Sequence, residues 1–114
     1  MSNETEIQEI ELNIKQAQDF IELGNCLERL HNNNDFRRLI LRNYFNNEPC
    51  RLVHLKSDHS QQDPDSQASI LRQMDAIGSL VHYFQSIRFQ ADSAQKAIEA
   101  DRETHRELLE GDNK

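Results

Sequence analysis

From Gln67 to about Leu109 the chain contains no proline and a single glycine, Gly78. Over that span apolar residues recur at Ile70, Met74, Ile77, Val81 and Phe84, then more thinly at Ala91, Ala94 and Ile98. Gaps of three and four, or multiples of them, keep all of these on one helical stripe. A single helix over the span would be roughly 60 Å long at about 1.5 Å per residue. The remainder of a 114-residue chain looks too short to cover such a rod, so the stripe predicts a further surface packed on it. That surface would belong to another copy of the chain or to a partner. The expected fold is all-α, with short helices forming a hairpin or small bundle on the first half of a long C-terminal helix. An oligomeric, coiled-coil-like contact is expected along that helix.

Composition narrows the field. Only three glycines and two prolines are present, too few for the many turns of an all-β fold. With 36% hydrophobic residues and no tryptophan, a monomeric core would be small. The length allows one domain. It reads as an acidic arm over 1–13, a helical domain over 14–98 and a charged, fraying tail over 99–114.

The net charge is −7, and it is unevenly spread. Residues 1–13 carry four glutamates and no base, and residues 99–114 carry six acids against three bases. Residues 35–57 carry Arg37, Arg38, Arg42, Arg51 and Lys56 against Asp35 and Glu48, a net of +3. The simplest arrangement places this basic middle near the acidic ends, within a chain or between copies. The overall sign disfavours a nucleic-acid partner, which needs surplus Lys and Arg, and no aromatic–basic interleaving supports one.

In order along the chain, Ile10 and Leu12 alternate with glutamates in a loose arm or short extended segment. Asn13 and Gln16 resemble a capping pair that starts a helix at Ile14. Ile14, Ala17, Ile21 and Gly24 share one stripe, flanked by Phe20, Leu27 and Leu30. The run Asn32-Asn33-Asn34 ends that helix. Asn34 or Asp35 then caps a second helix through Phe36, Leu39, Ile40 and Tyr44, which breaks at Asn46-Asn47. Pro49 suits the first turn of a third helix carrying Leu52, Val53 and Leu55. Residues 57–66 read as a loop, with Asp65 or Ser66 capping the long helix and Gly111 stopping it. Gly78, in the middle of that helix, costs about 1 kcal/mol relative to alanine. A neighbouring helix passing close by would explain it, and Gly24 could serve the same purpose.

Signatures of chemistry are absent. There is no phosphate-binding glycine loop, no His-Glu-x-x-His and no nucleophile elbow. Cys50 and His54 lie one turn apart, with Asp58 and His59 beyond, but a zinc site needs four ligands in a fixed tetrahedron. Pairs on one turn arise by chance, so no metal and no cofactor is expected. Asp75 is the one acid inside the apolar half of the long helix, placed for a structural ion pair with Arg42, Arg51 or Arg72. Tyr83 and Phe84 point to different faces, so one ring should lie outside the core, and Phe89 follows them. Cys26 and Cys50 have no redox spacing. With no signal peptide, no lipidation motif and no run of 18 apolar residues, a reduced, cytosolic setting is expected.

The stretch Asp35-Phe36-Arg37-Arg38-Leu39-Ile40-Leu41-Arg42-Asn43-Tyr44-Phe45, followed by Glu48-Pro49-Cys50-Arg51-Leu52-Val53, resembles small uncharacterised α-helical proteins of tailed bacteriophages. The block Arg72-Gln73-Met74-Asp75-Ala76-Ile77-Gly78-Ser79-Leu80, continuing to Tyr83-Phe84, is similar to a second stretch in them. The likeness spans roughly residues 14–98, and Asn43 stands where those sequences carry glycine. Genes of that kind tend to lie in the head and structural region. The resemblance therefore implies a virion or head-assembly role, located in the host bacterial cytoplasm or the virion, and it brings no catalytic residues.

The expectation is a non-enzymatic protein acting through helix-mediated contact with itself or with a phage structural protein. Contact residues are expected at Met74, Ile77, Gly78, Val81, Tyr83, Phe84 and Ile87, with Arg42, Arg51 and Asp75 as polar anchors. The alternative is a small acidic inhibitor that docks on a host enzyme, a defence nuclease or polymerase, with its acidic ends mimicking phosphates.

Overall fold

The structure, a computed structural model, describes residues 2–112. In chain order it contains α1 (Ser2–His31), a short α2 (Asn34–Phe36), a π-helical segment (Arg37–Asn47), α3 (Glu48–Ser57), a single 3₁₀ turn (His59–Gln61) and α4 (Pro64–Asp112). No strand occurs among the described residues. The chain divides into two units, Met1–Leu27 with Ser86–Lys114, and Glu28–Gln85. Both α1 and α4 contribute to each.

In the first unit α4 packs against α1. Up to Gly24 the less exposed positions of α1 are Asn3, Ile7, Ile10, Ile14, Ala17, Ile21 and Gly24 itself, and Leu27 follows, buried. Those of α4 are Ile87, Ala91, Ala94, Ile98, Asp101, His105 and Leu108. Both series alternate gaps of three and four, the seven-residue repeat that keeps one seam of a helix facing another. A Cβ built on Gly24 would stand 2.6 Å from the Cβ of Ala91. Nearer the chain ends, His105 Nε2 lies 2.9 Å from Glu11 Oε1. Going back along α1 from Gly24 to Glu11 thus corresponds to going forward along α4 from Ala91 to His105, so the two helices are antiparallel. Ile87, Ala94 and Ile98 are buried along this seam.

The pairing revises the sequence reading of both ends. The acidic segment, expected as an arm, is helical from Ser2 onward, and Asn13 and Gln16 lie within α1 rather than at its start. Ile7 and Ile10 continue the stripe of Ile14 and Ala17, whereas Leu12, which suggested an extended alternation, is 55% exposed. The tail after Ile98 is likewise helical to Asp112, and Gly111 lies inside α4 without the positive φ of a helix-ending glycine. The seam there changes from apolar side chains to the His105–Glu11 contact and the half-buried Leu108. The later part of the long stripe is therefore covered by α1.

In the second unit the helix stop expected at the asparagine run is present. Asn33, rather than Asn34 or Asp35, caps α2, its side-chain oxygen accepting from the Phe36 N–H at 2.9 Å. The expected break at Asn46-Asn47 does not occur. The chain stays helical but widens, and the Glu48 N–H donates to the Asn43 carbonyl five residues back. Pro49 gives the physical reason for a change here, since it has no N–H and its ring crowds the carbonyl four residues before it. The Asn46 amide donates to the Leu41 carbonyl at 3.2 Å, and the Asn47 amide to Asn43 Oδ1 at 2.7 Å. Phe36, Ile40 or Leu41, and Phe45 are half-buried, with the gaps of four and five that the wider winding requires.

The expected loop is short and tightly bonded. Asp58 accepts from the Ser60 N–H and hydroxyl, each at 2.8 Å. Gln62 and Gln67 both donate to the Lys56 carbonyl near the end of α3, at 2.9 and 3.0 Å. Asp63, not Asp65 or Ser66, caps α4 by accepting from the Ser66 N–H at 2.9 Å, which leaves Pro64 in the first turn. The core consists of Leu52, Ile70 and Ile77, with Tyr44, Phe45, Leu55 and Met74 packed around them.

Candidate functional site

The expected contact residues divide by environment. Within the second unit Ile77 is buried and Met74 packs on it. Phe84 is the hub of an aromatic cluster, with ring centroids 6.2 Å from His31, 5.9 Å from Phe36 and 6.0 Å from Phe45. Tyr83 lies 6.1 Å from Phe84 but is 58% exposed, so the two rings do take different faces. Val81 is half-buried. Ile87 belongs to the seam of the first unit.

Two expectations about this surface need correction. Apart from its own helix, nothing lies within 4 Å of where a Cβ on Gly78 would stand, so no other helix passes close to it. The close approach occurs instead at Gly24, where the opposing Ala91 leaves no room for a side chain. Asp75 is exposed and forms no ion pair with Arg42, Arg51 or Arg72 among the described residues. Arg51 turns to its own helix, donating from Nε and Nη2 to the two Glu48 carboxylate oxygens at 2.9 and 2.8 Å. It also reaches Gln73 Oε1 at 3.3 Å. The guanidinium hydrogen bond holds the Glu48 carboxyl below its ordinary range, and Glu48 raises Arg51 in return. Arg42 is exposed on the wide helical segment.

Among the described residues no group of three or more His, Cys, Asp or Glu side chains is placed to hold a metal. Asp58, once a possible companion of Cys50 and His54, is committed to Ser60, whose backbone N–H and then hydroxyl hold its carboxyl low. Cys26 and Cys50 are exposed and neither is in a disulfide. No helix among the described residues is long and apolar enough to cross a membrane.

A concave surface lies in the first unit. It is an open groove of about 460 Å³ along one flank of the α1–α4 pair. Ala17, Ala94 and Ala97 form its small-residue floor, Phe20 and Phe89 stand beside it, and Asp101 is the only charged residue lining it. Phe89 is 71% exposed and Phe20 41%. Phe20 is carried on α1 and Phe89 on α4. Phe89 is visible in the sequence as an aromatic beyond the Tyr83-Phe84 pair. Phe20 belongs to a second α1 stripe, with Leu23, Leu27 and Leu30, whose continuation through Asn13 and Gln16 is polar.

Comparison with protein-family models, with curated proteins and with solved structures finds no match to this chain.

Proposed function

We propose that this is a non-enzymatic bacteriophage protein that works by helix-mediated protein–protein contact in virion or head assembly. It would act in the host bacterial cytoplasm or within the virion, with another copy or a phage structural protein as partner. The observation that carries the reading is the set of large apolar side chains standing in solvent on helices, among them Leu39 at 63%, Val53 at 59%, Tyr83 at 58% and Phe89 at 71% exposure. Fixed helices present such side chains without the ordering cost that a loop would add on binding. The likeness of residues 35–53 and 72–84 to small tailed-phage proteins supplies the setting.

One observation favours a second reading. The antiparallel register brings the glutamates of the first turns of α1 to the same end of the first unit as Glu103, Glu107 and Glu110 of α4. A concentrated acidic end could occupy a cationic channel of a host nuclease or polymerase. Mass spectrometry of purified particles and head-assembly intermediates from infected cells tests both readings. Assembly predicts the chain in one of those fractions at a fixed ratio to a head protein. Recovery only on a host enzyme, abolished by Glu→Gln changes at the acidic end, would overturn assembly and favour inhibition.

A further inference from the structure

We infer that residues 37–47 form a register switch, a helical segment that exchanges between its wide winding and an ordinary α winding. The exchange hides or presents an apolar stripe. The inference concerns the chain alone and goes beyond the assembly reading.

The phase of the helix is the first argument. Phe36 and Phe45 both reach Phe84, with ring centroids at 5.9 and 6.0 Å. They are nine residues apart, about two and a half turns of α-helix, which would set them on opposite sides. The wide winding brings both to one face. The α-helix that follows is anchored by Leu52, which is fully buried. Counted back from Leu52 at about 3.6 residues per turn, Phe45 and Leu41 fall on the core side in an α winding as well. Phe36 falls about four and a half turns away, on the outward side, with Leu39 and Ile40 beside it. In the wide form Phe36 and Ile40 are half-buried and only Leu39, 63% exposed, stands outward. The two windings therefore keep the same core around Leu52 and differ in the fate of Phe36 and Ile40.

The balance of forces is the second argument. Hydrogen bonds that reach five residues back are rare and mostly confined to single turns, so eleven residues of them need support from outside the backbone. Two supports are present. The Phe36 ring packs edge-on against Phe84 and also against His31, at 5.8 Å. Pro49 crowds the carbonyl four residues before it, that of Phe45, which disfavours an α winding there. Phe36 is only half-buried and Pro49 burdens a single carbonyl, so these supports offset the preference of the backbone without overwhelming it.

The flanks allow the exchange. Phe36 at φ −62°, ψ −43° and Glu48 at φ −62°, ψ −45° are both α-helical, so an α winding can enter the segment from either end. The added rotation is taken up ahead of Phe36, at the exposed Asn32 and Asn33. Helix register shifts of this kind run on the microsecond-to-millisecond scale.

NMR of the full chain tests the inference. Scalar couplings across backbone hydrogen bonds report which carbonyl each N–H uses, and relaxation dispersion reports exchange. In the wild type the Glu48 N–H should couple to the Asn43 carbonyl, five residues back. Residues 37–47 should show dispersion, with a minor form populated at about 0.1–10%. Phe36→Ala and Pro49→Ala each remove one support. In each the Glu48 coupling should move to the Tyr44 carbonyl, while the amides around Leu52 keep their protection from exchange. A move in either variant sustains the switch. A coupling that stays on Asn43 in both, or that vanishes in both with loss of protection at Leu52, would overturn it. A wild-type segment free of dispersion would overturn it without recourse to any variant, leaving a wide winding that is fixed.

Discussion

The two units solve the same burial problem in different ways. In the first, two helices meet along a seam whose residues repeat every seven positions, and one pair of small residues, Gly24 and Ala91, sets how closely they approach. In the second, α2, the wide helical segment, α3 and the start of α4 enclose an irregular core around Leu52, with aromatic rings gathered about Phe84. The change is also written in the stripes. On α1 the gaps of Ile21, Gly24 and Leu27 are three and three, and on α4 those of Val81, Phe84 and Ile87 are the same. Two consecutive threes shift the phase of a heptad stripe. Both shifts fall where one unit gives way to the other. A long helix can thus change its packing face by skipping a residue of the repeat, without a glycine, a proline or a break.

The largest expected effect lies in the irregular unit. Leu52 is fully buried, and Leu52→Ala leaves a cavity that neighbours fixed by helix geometry fill only in part. Destabilisation of about 2–5 kcal/mol is expected in urea unfolding. Hydrogen exchange should quicken first in α3 and in the part of α4 around Ile70 and Ile77. If the first unit instead exchanges faster while α3 stays protected, the contrast between the units has been drawn in the wrong place.

A smaller effect separates the two mid-helix glycines. At Gly78 a methyl group meets open space, so Gly78→Ala should stabilise by about 1 kcal/mol through helix propensity alone. At Gly24 the same methyl meets the Ala91 Cβ at 2.6 Å, and the helices must move apart. The overpacking cost of about 1–3 kcal/mol then offsets or exceeds the propensity gain. The melting temperature should rise for Gly78→Ala and stay level or fall for Gly24→Ala. Equal rises would mean that α1 and α4 do not approach closely at Gly24.

These glycines also mark how far sequence alone reaches. The extent of α4 was legible because nothing between Gln67 and Leu109 interrupts a helix, and the asparagine run marked the end of α1. The opposite fates of Tyr83 and Phe84 followed from helical spacing. Which glycine faces a neighbour was not legible, since that depends on register between helices and not on either helix alone. The reach of α1 was concealed by its glutamates. Ile7 and Ile10 hold the seam, but the neighbouring Leu12 produced an alternation that imitates a strand. The groove was concealed for a related reason. Its floor is alanine, which carries no strong apolar signal, and its rings lie on different helices brought together only by the antiparallel pairing.

The smallest expected effect concerns the connection into α4, where sequence favoured Asp65 or Ser66 and the cap is Asp63. Hydrogen bonds from Ser66, its side chain first and its backbone N–H second, hold the Asp63 carboxyl below its ordinary value. The sign follows from linkage. A carboxylate with a lowered folded pKa contributes its stability above the unfolded pKa and loses it as pH falls through the folded value. The cap should therefore be intact at neutral pH and through the range where ordinary aspartates begin to protonate, and weaken only in stronger acid. In an NMR titration the Asp63 carboxyl should show a midpoint below the ordinary aspartate value, and the Ser66 amide should shift with it. Because Asp63 is fully exposed, the change should loosen the first turn of α4 without unfolding either unit. Asp63→Asn, which retains an acceptor oxygen for the Ser66 N–H, should remove the titration while keeping the turn. A Ser66 amide that does not move as Asp63 titrates, in the wild type, would mean that Asp63 is not the cap.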